Sequence, residues 1–392
     1  MTRRVYMDHA AGKPVAPEVL KVMMPYFTDK CGNPSSPHSW GNEARKAMED
    51  ARAKIVNLVA AKKPEEIFFT SGGTESNNIA IKGVTFRNKD RGNHIVATAI
   101  EHMSVMNPCK SLMKQGFNVT FVPVDKSGVI DLQALESAVT DKTTLVSVAY
   151  ANGEIGTSQP IRKIAEIAHR KGASLHVDAV AACGQLPINV QEENIDLMSI
   201  SSNEMYGPRG TGALYVKTGT RIEPIIQGGG QERGLRSGTE NIPAIVGMGK
   251  AAEIAKAEMK AEAQRLSQLR DQLIKRVLED VPASFLNGHP AQRLPNNASL
   301  RFSYVEGESL ILSLDMVGIA CSSGSACTSK TLEPSHVLLA IGLKHEEAHG
   351  SLLFTLGKQN TKEDVDYVVS ALPDIVKRLR AISPLTPKEM LS

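Results

Sequence analysis

Several short stretches of this chain carry residues whose types can do chemistry. SSGSACTS at 322–329 sets Cys327 among glycine and serines, a setting that leaves a thiol room to move and react. HVDAV at 176–180 brings an apolar run to Asp178, and a carboxylate at that depth needs a partner to offset its burial. SGGTESNN at 71–78 places two glycines before Thr74 at the expected start of a helix, where backbone N–H groups and the positive helix end favour a phosphate. EHMS at 101–104 offers His102 as a proton carrier. The run DLMSISSNEMYGPRGTGALYV at 196–216 passes from an apolar strand into a polar turn and then a glycine-rich one. Glu204 stands where such a turn holds a side chain at a pocket floor. Each stretch also has a plain structural reading: a glycine turn, a strand-end cap, a packed histidine. Their combination carries the functional argument.

The cysteines are Cys31, Cys109, Cys183, Cys321 and Cys327. An odd number scattered through a long chain argues against a disulfide framework and for a reducing compartment, so the protein is expected in the cytoplasm. No C-x-x-C occurs, which speaks against a self-contained zinc site. Cys321 sits in a strand-like run and reads as a small buried apolar residue, with a role as a second ligand beside Cys327 as the alternative. A net charge of +3 and no lysine or arginine run give no footing for nucleic acid. No stretch of about 18 apolar residues appears, so no membrane span is expected.

The elements that must position these groups alternate. From about residue 54 to 216 the runs EEIFFTS, NHIVATAI, NVTFVPV, TTLVSVAYA, SLHVDAV, DLMSISS and GALYV alternate with helical patterns, as in a mostly parallel sheet wrapped by helices. PIRKIAEIAHRKG, entered at Pro160 and left at Gly172, is one such crossover helix. A long amphipathic run at 244–281 is expected to bridge two domains. Beyond it SFLNGH, NNASLRFSY, GIACSS and SLLFTLG read as strands of a smaller α+β unit. The expected division is 1–255 for the large domain and 256–392 for the small one, which carries the Cys327 loop.

With these motifs in this order, the chain resembles the cysteine desulfurases of the NifS/IscS group, from GNPSS at 32–36 to AHGSLLFTLG at 348–357. The resemblance implies a fold-type I pyridoxal phosphate (PLP) transferase-like α/β fold, with a mostly parallel seven-stranded sheet and a smaller C-terminal α+β domain. It implies that Thr74 and Ser201 bind the cofactor phosphate, that Asp178 pairs with the pyridinium nitrogen, and that His102 stacks on the ring. It also implies that Cys327 receives sulfur as a persulfide and delivers it to a scaffold partner. Arg236 and Thr239 lie in GGGQERGLRSGTEN, where the matching threonine reaches the neighbouring subunit's phosphate, so a homodimer is implied.

Five positions depart from the family pattern. Glu204 stands where the family has the lysine that binds PLP covalently, and Asn203 replaces the histidine before it. Ala181 replaces a glutamine beside the phenolic oxygen and Gly153 an asparagine that contacts cofactor or substrate. Leu353 replaces an arginine that grips the substrate carboxylate as a bidentate pair. Lys330 lies near Cys327 but is not expected to stand in for the missing amine. The leading expectation is a desulfurase-like protein of iron–sulfur cluster assembly that no longer turns over cysteine. It would supply Cys327 to an IscU-like scaffold as a persulfide carrier or as a ligand of a shared [2Fe-2S] cluster, since an exposed thiolate is also a good iron ligand. The alternative is an active cysteine desulfurase that holds PLP without a covalent bond and uses His102 or Glu204 as its base.

Overall fold

The computed structural model describes residues 3–324 and 334–390. Its strands are β1 (Val5–Tyr6), β2 (Ile67–Thr70), β3 (His94–Thr98), β4 (Asn118–Val122), β5 (Thr143–Ala149), β6 (Ser174–Asp178), β7 (Leu197–Ser201), β8 (Gly212–Val216), β9 (Ser284–Leu286), β10 (Asn297–Phe302), β11 (Ile319–Ala320) and β12 (Ser351–Thr355). The seven runs expected as strands between 54 and 216 are β2 to β8, and they form one sheet in the order β2-β8-β7-β6-β5-β3-β4. All neighbours are parallel except β8, which runs antiparallel to both β2 and β7. Strands β3, β5 and β8 are buried along their whole length. That is why their sequences are continuous apolar runs rather than alternating ones: helices cover both faces. The crossover helix Ile161–Arg170 begins after Pro160, and Gly172 beyond it has φ +69°, a conformation side chains resist.

The long amphipathic run is a single helix, Ile242–Asp280, opened by a cap in which the Asn241 side chain accepts from the Ala244 N–H. Its first part buries Ile245, Met248 and Ala252 in the core beneath the large sheet. Its last part buries Leu266, Leu273 and Val277 in a second core built on β9, β10 and β12, which pair antiparallel. We propose that the division between the two units falls at 255/256. The strand expected at GIACSS is the two-residue β11, which pairs parallel with β1 instead of joining the three-stranded sheet. Val5 and Met7 accordingly pack in the second core. The final helix Lys362–Ile382 leads to an exposed tail, with Ile382 and Leu385 open to solvent. Among the described residues no helix is long and apolar enough to cross a membrane.

Candidate functional site

The carboxyl ends of β5, β6 and β7 open on a cavity of about 500 Å³. Open α/β sheets place ligands there, and the volume suits a cofactor-sized molecule. Asp178, His102, Ser201, Thr74 and Glu204 all line this cavity, so five of the residues singled out in the sequence meet at one place.

Asp178 ends β6 and is 6% exposed. One oxygen of its carboxylate accepts from Asn77 Nδ2 at 2.7 Å and the other from the Val180 N–H at 3.0 Å. The same Asn77 amide donates to Ser104 Oγ at 2.7 Å, and Ser104 Oγ lies 2.7 Å from His102 Nδ1. The ring nitrogen also accepts the Ser104 N–H at 3.1 Å, which caps the helix Met103–Met113. His102 therefore has a structural task as well as a place at the cavity. Asn77 and Ser104 were not assigned any chemistry in the sequence. No local pattern in the sequence marked either of them.

At the next wall the helix Gly73–Arg87 begins, with Thr74 in its first turn. Gly73 must lack a side chain, since a Cβ would come within 2.4 Å of Val180 Cγ2. That close approach aims the first-turn N–H groups at the cavity, where they favour an anion. Glu75 is tied to this start by the Ser71 N–H at 2.7 Å and by Arg236 Nε at 2.7 Å. Burial alone would raise its pKa, but those two donors hold it below the usual carboxylate range. Thr239 is exposed and lies outside the cavity of its own chain.

Glu204 sits on a short 3₁₀ turn, Asn203–Met205, with its side chain 11% exposed. Lys13 is buried beside it. Lys13 Nζ lies 3.1 Å from Glu204 Oε2, donates to the Glu204 backbone oxygen at 2.7 Å, and stands 5.5 Å from the Tyr206 ring centre. An amine is thus present at this floor, carried by the N-terminal segment rather than by position 204. Nothing in the sequence pointed to Lys13, which looks there like an ordinary loop lysine.

Of the remaining departures, Gly153, Ala181 and Leu353 also line the cavity and Asn203 does not. A Cβ on Gly153 would lie 3.6 Å from Ala181 Cβ, so these two neighbours together leave the space that longer side chains would fill. Leu353 in β12 is 2% exposed and presents only hydrocarbon. No lysine or arginine lines the cavity among the described residues. Besides Asp178 and Glu204, two further carboxyls line it: burial pushes Glu101 up to about 8 and the partly buried Glu154 up to about 7, against hydrogen bonds that work the other way.

Cys327 and Lys330 lie outside the described residues. The positions that flank their segment, Gly324 and Ser335, both line the cavity. Cys321 is 7% exposed in the second core and its thiol is pushed up to about 12 by burial, in keeping with its reading as a packed apolar residue.

The fit to PLP divides by position. The buried Asp178 carboxylate, the helix start at Gly73 and Thr74, and the cavity volume fit a pyridinium ring and a phosphate. Glu204 does not fit a covalent anchor.

Residues 5–368 match the aminotransferase class-V family. The chain is 57% identical over 380 residues to cysteine desulfurase IscS 1 of Archaeoglobus fulgidus, covering 97% of this chain and 99% of that protein. Among solved structures, a NifS-like protein superposes with a TM-score of 0.90 at 38% identity, covering 96% of this chain and all of the other. The protein SspA, solved in complex with cysteine, superposes with a TM-score of 0.81 at 35% identity over 90% of this chain and 98% of the other.

Proposed function

This chain belongs to the class-V aminotransferase family, in its NifS/IscS cysteine desulfurase group, and from that premise we propose that it is a sulfur donor for iron–sulfur cluster assembly in the cytoplasm. In this reading it is a cysteine desulfurase that holds PLP without a covalent bond. The names of its relatives support this reading better than they support the loss of turnover expected from the departures at 204 and 353. The observation that supports it is the hydrogen-bonded series from Asp178 through Asn77 and Ser104 to His102 along one wall of the cavity.

When bound, PLP supplies an electron sink for bonds breaking next to an amino group. The chain's own residues do the rest. Asp178 holds the pyridinium nitrogen, oriented by the Asn77 amide, which leaves the carboxylate no freedom to turn away. Thr74, Ser201 and the helix start at Gly73 take the phosphate, and His102 covers the ring. Cys327 accepts the sulfur: the carbon–sulfur bond of L-cysteine is broken, L-alanine leaves, and the Cys327 thiol becomes a persulfide that an IscU-like scaffold consumes. A homodimer completes the phosphate site with Thr239 from the neighbouring subunit, in keeping with the exposure of Thr239 on its own chain.

A second reading is favoured by Leu353 and by the Lys13–Glu204 pair, which remove the carboxylate grip and the covalent anchor. In it the protein makes no persulfide from cysteine, and Cys327 serves a scaffold as a carrier or as a ligand of a shared [2Fe-2S] cluster. Radiolabelled L-cysteine separates the two. With PLP present, the first reading expects label on the protein, one alanine per persulfide, and complete loss in Cys327→Ser. An unlabelled protein that still loads a coexpressed scaffold through Cys327 establishes the second.

A further inference from the structure

The turn that brings His102 to the cavity leans on the small C-terminal unit. It spans residues 99–102, between β3 and the helix Met103–Met113. Glu101 is fully buried there, and one oxygen of its carboxyl accepts from Thr98 Oγ1 at 2.5 Å and from the Ala149 N–H at 2.9 Å. The Ile100 carbonyl accepts from Asn152 Nδ2 at 2.7 Å. The Glu101 carbonyl, in the peptide group that joins directly to His102, accepts from His336 Nε2 at 2.9 Å. A carbonyl oxygen only accepts, so the proton of that ring sits on Nε2. Burial holds the His336 pKa below its usual value despite this bond, which keeps the ring neutral near pH 7.

His336 belongs to the other unit, where it opens the short helix His336–Ala340. The Ser335 side chain caps that helix by accepting the Val337 and Leu338 N–H groups at 3.1 and 3.3 Å. Its hydroxyl also bonds the Glu154 carboxyl of the large unit. Val337 and Leu338 are buried in a small apolar cluster with Ile155 and with Ile100 of the same turn. The helix is thus docked through an apolar contact, a hydroxyl and the His336 ring, and His102 and His336 both line the cavity.

We propose that His336 is a positioning residue for His102: by donating to the Glu101 carbonyl it fixes the turn that carries His102, so that His102 takes its place only when the helix His336–Ala340 is docked. A buried carbonyl needs a donor, and losing this one frees the peptide group next to His102 to turn. His336 acts through the backbone and touches no reacting atom in this role. The proposal rests on the proposed function only in giving His102 a ring to cover.

Amide hydrogen exchange of the purified protein, with no PLP added, tests this in peptides covering 99–106, with β6 and β7 as the internal reference. His336→Leu keeps an apolar side chain and removes the donor. It is expected to speed exchange at 99–106 about tenfold, the loss of one buried hydrogen bond, and to leave β6 and β7 within about twofold. His336→Gln, whose Nε2 donates from nearly the same place, is expected to bring the turn back to within about threefold of the unaltered protein. With PLP, the same order is expected in the rate of persulfide formation at saturating L-cysteine, lowest in His336→Leu, with the half-saturating concentration unchanged. The proposal is overturned if His336→Leu leaves 99–106 unchanged, if it speeds β6 and β7 equally, or if His336→Gln behaves as His336→Leu does. Should His336→Leu not fold, Ser335→Ala loosens the start of the same helix and carries the same expectation. A local change in the turn with no persulfide from any protein, the unaltered one included, upholds this placement and sinks only the desulfurase reading. Persulfide formed at one rate by all three proteins, with the turn unchanged, sinks only this proposal.

Discussion

At the Asp178 end of the cavity, four side chains on three different elements share hydrogen bonds of 2.7 Å, and a glycine packs so closely that no Cβ fits. At the Glu204 end the polar groups sit on a short turn, one ion pair crosses from the N-terminal segment, and a glycine faces an alanine with space between them. The difference shows which parts of a site the fold itself demands. Asn77 and Ser104 are buried whether or not a cofactor is present, so each must keep its partner or incur the cost of an unpaired polar group. Position 204 is under no such demand once Lys13 accepts its charge. A reactive residue on a turn can therefore be exchanged while the framework around it persists.

The largest expected effect lies at the exchanged end. Lys13→Met leaves Glu204 as a buried charge without its partner and should cost about 3–5 kcal/mol in urea unfolding, whereas Lys13→Met with Glu204→Met should return most of it. A cost below about 1 kcal/mol for the single variant would show that the pair is no part of what holds this floor. The same pair bears on restoring the family's lysine. Glu204→Lys alone sets two ammonium groups side by side, so covalent PLP uptake, read as absorbance that survives dialysis, should be better when Lys13→Thr accompanies it.

At the other end, Asp178→Ala removes the carboxylate that accepts from Asn77 and Val180. In the role proposed for Asp178, that variant should weaken PLP binding, followed by fluorescence, about 10- to 100-fold, while Glu204→Ala should change it little. Equal losses in the two variants would erase the contrast between the ends.

The pH dependence of stability comes next in size. Burial raises the Glu101 pKa to about 8 in the folded protein from 4.5. The folded state then holds a proton that the unfolded chain releases, so the contribution is complete below about pH 4.5 and is lost as pH rises toward 8. The slope is at most about 1.4 kcal/mol per pH unit. Glu154 acts in the same direction up to about 7. Unfolding free energies between pH 5 and 9 should fall in the unaltered protein and flatten in Glu101→Gln; an unchanged slope in that variant would assign the proton elsewhere. The smallest effect separates the two glycines. Gly153→Ala meets only an ordinary 3.6 Å contact and should stay within about 0.5 kcal/mol, while Gly73→Ala must move Val180 and should cost about 1–3 kcal/mol.

Much of this was legible in the sequence. The seven strands of the large sheet stood out because two-sided burial forces continuous apolar runs. Asp178, His102, Thr74, Ser201 and Glu204 stood out because turns and strand ends mark themselves with polar and glycine residues. Lys13 was not legible, since its contact with Glu204 spans most of the first half of the chain and no local pattern announces it. Asn77 was hidden for a related reason: a buried amide is recognised by what surrounds it, and surroundings are a tertiary property. The pairing of β11 was missed because two residues carry no periodicity.

That pairing sets a timetable. Val5 lies beside Ile319, so the second core cannot close until most of the chain has been made. At the usual 5–20 residues per second, the ribosome needs about 15 to 60 s to make the intervening stretch. During that interval the large sheet can already have assembled, while the apolar side chains of Val5 and Met7 wait without their partners in the second core. A protein whose first strand is among the last to find its place is exposed to chaperones early and to misassembly late.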